Sequence, residues 1–428
     1  MQVGFAMKVV GITAPSTGSG KTTVTMGLLG GLHNAVSVKI GPDYIDPAIT
    51  ASLTRGKGVN IDRWIQGRSY LGVLPGLARQ YDFAVLEGVM GMFDSGGHKY
   101  QSTDYYFRRF RVPYVLVLNV ELMAESAFYQ AKGFITGLCL GVVLNNYGSA
   151  RHLEMVSKPF TDHKVRILGA IPKDPSLTLE SRHLGLKNDI DPGKVERIAG
   201  KVSRYLDFSF VDNLPDIKPD SAPGRKAATG KKFRFAVALD DAFSFYYWSS
   251  IDFLGRNGEI QYFSPLKDEV PEDPDFVLIG GGYPEIHAKQ LSSSHRTAQF
   301  LKSFSEEGKS ILAECGGLMY LEKAIVVDGN SYPMCGVFDG TTEMTGRLTL
   351  SYTKLEATSG TFLYGKGSIL YGHEYHYSST SDNGTKTLVN SMGRGIDGRD
   401  GLYRKRTLAT YSHFDLSRYG KKLIRSLE

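Results

Sequence analysis

Cysteine is scarce in this chain, and the three present, Cys139, Cys315 and Cys335, form no C-x-x-C pair. That argues against a disulfide framework and a zinc ribbon, and it points to the cytoplasm as the compartment. No apolar run approaches the roughly eighteen residues of a membrane span. Residues 1–7 lack the basic region and long apolar core of a secretory signal. Charge is not concentrated either: the net +6 comes from 50 basic and 44 acidic residues spread along the chain. This suits an anionic small substrate and is too diffuse for nucleic acid. What remains is a globular composition, 42% hydrophobic and 22% charged, over 428 residues, enough for two or three domains.

The first half is organised around residues 14–23, APSTGSGKTT. An apolar, β-branched run, Met7 to Thr13, precedes them, and a run with helical spacing, Lys21 to His33, follows. A strand, a glycine-containing turn and a helix start form a place where backbone N–H groups and the helix dipole hold phosphate oxygens. Gly20, Lys21 and Thr22 fit G-x-x-x-x-G-K-[ST], with Pro15 standing where the first glycine would be. In such a loop the lysine reaches the terminal phosphates and the threonine hydroxyl ligates Mg²⁺.

Strand-like runs then alternate with helical segments at Val36–Ile40, Phe83–Glu87, Tyr114–Asn119, Cys139–Leu144 and Val165–Ile171. The alternation predicts an α/β fold with a mostly parallel sheet, whose ligands sit beyond the C-terminal strand ends. Carboxylates cluster there: Asp43 and Asp46 in GPDYIDP, then Glu87 and Asp94 in EGVMGMFD. Mg²⁺ takes hard oxygen ligands of this kind, and Asp43 and Glu87 are the candidates. Asp94 suits a substrate better than a metal. Turn formation or helix capping is the competing role, above all for Asp46. Residues 213–232 are rich in Pro, Gly, Ser and Lys and read as a linker.

A second alternation begins at Phe233–Leu239, with a helix expected over Phe243–Leu254 and strands near Gln261–Phe263 and Phe276–Gly280. In ILAECGGLMYLE an apolar strand meets Cys315, two glycines and a helix, the arrangement of a nucleophile elbow. A helix N-terminus there is expected to lower the thiol pKa. Leu408–Phe414 reads as a strand end carrying His413 as base, and Asp415, two residues on, is placed to orient the imidazole. Gly281 and Gly282, in GGGYPE, offer backbone N–H groups to an oxyanion. YGHEYHYS (371–378) misses the H-E-x-x-H spacing of a helical metal site, and its aromatic alternation suggests a strand.

Taken together, SGKTT (19–23), GPDYIDP (41–47), NID (60–62), EGVMGMFD (87–94), GVVLNNYGSARH (141–152), RHLGL (182–186), DDAFSFYY (240–247), GGGYPE (280–285), ECGGLMYL (314–321) and GHEYHYS (372–378) resemble the cobyrinic acid a,c-diamide synthase family along nearly the whole chain. The resemblance implies an ATP-dependent amide synthetase domain at 1–212, similar to dethiobiotin synthetase, the linker at 213–232, and a class I glutamine amidotransferase domain at 233–428. It implies ATP on Thr17, Gly18, Ser19, Gly20, Lys21, Thr22, Thr23 and Asn145, and Mg²⁺ on Thr22, Asp43 and Glu87. Tyr44, Asp46 and Asp94 fall at substrate or acyl-phosphate positions. By the same resemblance Cys315 with His413 would release ammonia from glutamine, and the acid to be amidated would be an anionic tetrapyrrole, cobyrinic acid or nickel sirohydrochlorin. A homodimer is compatible with the resemblance, whereas a partition-type ATPase switch would carry the phosphate loop without a glutaminase. The chain departs from the family's pattern at Asp415, at Ile49-Thr50 and at Asn119, where members commonly carry histidine, histidine and aspartate.

Overall fold

A computed structural model describes residues 6–54, 58–95, 101–177, 179, 191–219 and 233–428. The chain divides into two compact units, Met1–Pro223 and Gly224–Glu428. The family-like stretch RHLGL at 182–186 and residues 220–232 of the expected linker lie outside the described residues.

In the first unit, β1 (Met7–Thr13), β2 (Ala35–Ile40), β3 (Val59–Ile61), β4 (Phe83–Glu87), β5 (Tyr114–Asn119), β6 (Cys139–Tyr147) and β7 (Ile167–Pro172) form a sheet in the order β3-β2-β4-β1-β5-β6-β7. Every pairing along that path is parallel. Val, Ile and Leu fill both faces, as they must when helices cover both sides: β2 is buried at all six positions. A short β8 (Asp216–Ile217), inside the stretch expected to be linker, pairs antiparallel with Met7 and Lys8 of β1. The ends of β1, β2 and β4 lie side by side, so the phosphate loop, GPDYIDP and EGVMGMFD emerge at one sheet edge.

The second unit holds β9 (Phe233–Ala238), β10 (Gly258–Phe263), β11 (Phe276–Ile279), β12 (Ser310–Glu314), β13 (Ala324–Val327), β14 (Asn330–Pro333), β15 (Thr341–Ala357), β16 (Ile369–Thr380), β17 (Lys386–Asn390), β18 (Arg399–Arg404) and β19 (Thr407–Thr410). The sheet runs β10-β9-β11-β12-β19-β18-β17-β15-β13-β14, with β16 paired to β15. Its first five strands are parallel. The ends of β11, β12 and β19 therefore deliver the glycine loop, Cys315 and His413 to one place.

Two expectations about elements need correction. The helix expected from Phe243 begins only at Trp248 and runs to Asn257. The Asp240 carboxylate ties the N–H groups of Ala242 and Phe243 into a turn, and Gly281 O accepts from Ser244 and Phe245 N–H, each at 3.0 Å. The strand expected to reach Phe414 ends at Thr410, because the chain turns there to bring His413 against His373.

Candidate active sites

In the first unit the loop after β1 turns through Gly18 and Gly20, at φ +80° and +98°. A Cβ on Gly20 would sit 2.1 Å from Asn145 Nδ2, and that amide donates to Ser19 O at 3.1 Å. Asn145, at the end of β6, thus braces the loop. Lys21 Nζ donates to Ser16 O at 3.2 Å. Burial, and then the neighbouring Lys39, lower its pKa to about 8. Thr17 and Gly18 are exposed at the loop tip, while Ser19 is buried and Thr23 is half-buried at the helix start. A cavity of about 250 Å³ opens beside the loop, lined by Pro15, Ser16, Ser19, Asn119 and Leu122 among others.

The carboxylates gather around a residue that the sequence reading passed over. Lys39, only 4% exposed, reaches Glu87 Oε1 at 2.8 Å, Asp46 Oδ2 at 2.7 Å and Asp43 Oδ2 at 3.7 Å. Burial opposes its charge, but Glu87, Asp46 and Asp43 outweigh burial and raise the ammonium's pKa above the ordinary lysine range. Burial, and then Asp46, push the Asp43 carboxyl up against the pull of Lys39. Asp43 Oδ1 also accepts the N–H groups of Ile45 (2.8 Å) and Asp46 (3.2 Å), tying the turn that leads into helix Ile45–Ala51. Tyr44 is buried directly before that helix. Asp94 is exposed and accepts Gly91 N–H at 2.8 Å. The signal for Lys39 was present as one lysine in an otherwise apolar or small strand, AVSVKI.

Thr22 Oγ1 donates to Glu87 Oε1 at 2.7 Å, so two of the three expected metal ligands already touch. Glu87 Oε2 is buried and has no hydrogen-bond partner among the described residues. An orphaned carboxylate oxygen beside a threonine hydroxyl is a donor set that fits Mg²⁺.

In the second unit Cys315 sits at φ 49°, ψ −102°, between the end of β12 and helix Gly316–Leu321. This left-handed backbone is costly for a residue with a Cβ and is held by neighbours, including Cys315 N–H donating to Thr410 O at 2.7 Å. The thiol is buried and donates to Tyr375 O at 3.3 Å. Burial pushes its pKa well up, the Glu285 charge adds to this, and the Gly316 N–H opposes it weakly. That reverses the expectation of a lowered thiol pKa: six residues of helix do not offset full desolvation.

His413 arrives beside this turn from just beyond the end of β19. The point that a Cβ on Gly281 would occupy lies 2.5 Å from His413 Cε1, 3.2 Å from its Nε2 and 3.4 Å from Cys315 Cβ, so imidazole and thiol flank one glycine. A Cβ on Gly316 would lie 3.2 Å from Gly282 N, which sets that backbone N–H beside the thiol's turn as well. The GHEYHYS segment is a strand, β16, as its alternation suggested, and it closes the site. His373 stacks on His413 with ring centroids 5.1 Å apart, and its Nδ1 lies 2.8 Å from the Tyr247 hydroxyl. Burial, and then His413, push the His373 pKa well below the usual value, so it is neutral.

The expected role of Asp415 does not hold. Its carboxylate accepts from the Ser249 hydroxyl and, at 2.8 Å, from Ser417 N–H, capping helix Leu416–Leu427. The helix begins at Leu416, directly after Asp415, and the Asp415 carboxylate is taken up by that helix start and by Ser249. The carboxylate at the imidazole is Glu314, with Oε2 3.6 Å from His413 Nδ1.

An α/β unit with five parallel strands, a cysteine elbow, a neighbouring histidine and a glycine loop defines a class I glutamine amidotransferase domain. Residues 234–419 match the family model described as the CobB/CobQ-like glutamine amidotransferase domain. Over its whole length the chain is similar to three curated proteins named cobyrinate a,c-diamide synthase. That of Saccharolobus solfataricus is 33% identical over 98% of this chain and 100% of its own length. That of Sulfolobus acidocaldarius is 34% identical over 95% and 97%, and that of Listeria monocytogenes 33% identical over 95% and 96%. The chain belongs to the cobyrinate a,c-diamide synthase family, ligases of the glutamine amidotransferase type.

Proposed function

We propose that this chain uses glutamine and ATP to amidate the a and c acetate carboxylates of cobyrinic acid, in the cytoplasm. The observation that carries the reading is that one chain holds a thiol–imidazole pair and a phosphate loop with a buried carboxylate–lysine cluster. A carboxylate is a poor electrophile and needs activation, and ammonia is scarce as free base near neutral pH. The two sites answer these two needs.

In the second unit Cys315 Sγ attacks the side-chain amide carbon of glutamine while His413 takes the thiol proton. The N–H groups of Gly281 and Gly282 stabilise the oxyanion. His413 returns the proton to the departing nitrogen, so ammonia leaves and a thioester remains. Water then releases glutamate. In the first unit the loop N–H groups of 17–23 and Lys21 hold the nucleotide phosphates, with Asn145 bracing the loop. Thr22, Glu87 and Asp43 are the residues that would hold Mg²⁺, which supplies charge neutralisation at the phosphates. Lys39 adds a fixed positive charge, and Tyr44, Asp46 and Asp94 line the side where the acid enters. The carboxylate is activated as an acyl phosphate, and ammonia displaces phosphate to leave the amide.

The test incubates the protein with glutamine and ATP-Mg²⁺ and either cobyrinic acid or nickel sirohydrochlorin, following the acid-to-amide mass change and ADP release. Two amidations of cobyrinic acid are expected. Turnover of nickel sirohydrochlorin instead would move the substrate, and no ATP-dependent glutamine consumption with either acid would overturn the reading.

A further inference from the structure

We infer that Glu314, the residue directly before Cys315, is the positioning carboxylate of His413. The inference rests on Cys315 acting as the glutaminase nucleophile. Glu314 ends β12, in register with Thr410 of the neighbouring parallel β19. Its carboxylate bridges two features of the histidine segment. Oε1 accepts Phe414 N–H at 2.9 Å, while Oε2 stands 3.6 Å from His413 Nδ1. The imidazole is fully buried and Glu314 is 7% exposed, so little water weakens the pair. The backbone of His413 is fixed by His373, whose O accepts His413 N–H at 2.8 Å, which leaves ring orientation as the freedom that Glu314 governs.

The other charged groups around this site are engaged elsewhere. Asp415 caps the last helix and takes the Ser249 hydroxyl. Asp400, from β18, accepts the N–H groups of Gly401, Tyr411 and Ser412 and the Ser412 hydroxyl. Glu285, on the glycine loop, acts on the thiol. His373, from β16, is neutral and stacked on the ring. Glu314 brings a carboxylate oxygen within 4 Å of Nδ1. When the Sγ proton moves to Nε2 the ring becomes cationic, and a buried negative charge at Nδ1 stabilises that state and holds Nε2 toward the sulfur. The proton then passes to the leaving nitrogen as the C–N bond breaks, and Glu314 keeps its charge throughout.

The decisive comparison is Glu314→Gln against Asp415→Asn, measuring glutamate release from glutamine and, in the same preparations, amidation driven by added ammonia. Glu314→Gln keeps an oxygen for Phe414 N–H and removes the charge. It is expected to lower glutaminase kcat about a hundredfold or more, with KM little changed. Without the carboxylate the imidazolium is less stable, so the acid limb of the kcat/KM profile moves to lower pH. Glu314→Asp should restore part of the rate, while Asp415→Asn should stay within about threefold of the parent. Ammonia-driven amidation, unchanged in all three, serves as the folding control. A Glu314→Gln protein with parental kcat and pH profile, or a loss found at Asp415 instead, would overturn the inference. A parent that consumes ATP with ammonia but releases no glutamate would overturn the glutaminase reading beneath it.

Discussion

Lys39 and Glu87 meet at 2.8 Å inside the first unit, the lysine side chain 4% and the carboxylate 1% exposed. The same Glu87 oxygen accepts the Thr22 hydroxyl, so one carboxylate joins the phosphate-loop helix to the middle of the sheet. A buried pair of this kind costs desolvation to form, but breaking it from one side costs more. Lys39→Met takes from Glu87, Asp46 and Asp43 the cation they contact directly. The variant should lose about 3–5 kcal/mol of stability in the first unit, read from urea denaturation at pH 7. Adding Glu87→Gln to it should recover part of that loss, the coupling that a double-mutant cycle measures.

Lys21 is the opposite case. Burial and Lys39 lower its pKa from 10.5 to about 8, so the folded protein carries this charge at a penalty. A lysine with a depressed folded pKa destabilises in full below about pH 8, and the penalty fades as pH rises toward the unfolded value. Lys21→Met should therefore make the ligand-free protein more stable at pH 7 by about 1–3 kcal/mol, with the gain vanishing near pH 10. On the proposed function the same variant should lose ATP binding, because the ammonium would pair with the phosphates. Denaturation at both pH values, with nucleotide titration beside it, checks both halves.

How far the sequence could be read follows from what each feature depends on. The boundaries of β1, β4 and β5 could be read to the residue, because a buried parallel strand needs an unbroken apolar run and short turns bound it. The cysteine elbow was legible for a similar reason: strand, nucleophile and paired glycines are contiguous. Glu314 and Lys39 were not. Each is a polar residue at or near the buried end of a strand, and its role depends on a partner 99 and 48 positions away, which no local pattern encodes. Asp415 misled because an acid two residues after a histidine serves equally well as the cap of a following helix, and here a helix begins at Leu416. Phe243–Tyr247 misled because its apolar spacing suits a helix, while Asp240 and Gly281 claim its backbone N–H groups.

Gly281 tests the glutaminase geometry without replacing a side chain proposed to react. A methyl group there would fall 2.5 Å from His413 Cε1, closer than atoms approach, so the imidazole must rotate or the loop must move. Displacement of about 1 Å at a reacting group costs on the order of a hundredfold in rate. Gly281→Ala should therefore lower glutamine-dependent amidation by about that factor, while amidation with added ammonia stays near the parental rate. Equal loss with both nitrogen sources would show that the clash unsettles more than the second site.

Cys315 separates chemistry from strain. At φ 49° and ψ −102° any residue with a Cβ is held against its preference, and glycine is not. Both Cys315→Ala and Cys315→Gly remove the sulfur, so both should abolish glutamate release and leave the ammonia-driven reaction intact. They differ by the Cβ, which alanine keeps and glycine drops, and with it in backbone freedom. In an ordinary strand or helix the alanine variant would be the more stable by about 0.5–1 kcal/mol. Here the order should invert, with Cys315→Gly melting above Cys315→Ala by an amount equivalent to about 1 kcal/mol. Differential scanning calorimetry on the two inactive variants reads this directly. An alanine variant as stable as or more stable than the glycine one would mean the elbow is relaxed, and the strained placement of the thiol would then have to be abandoned.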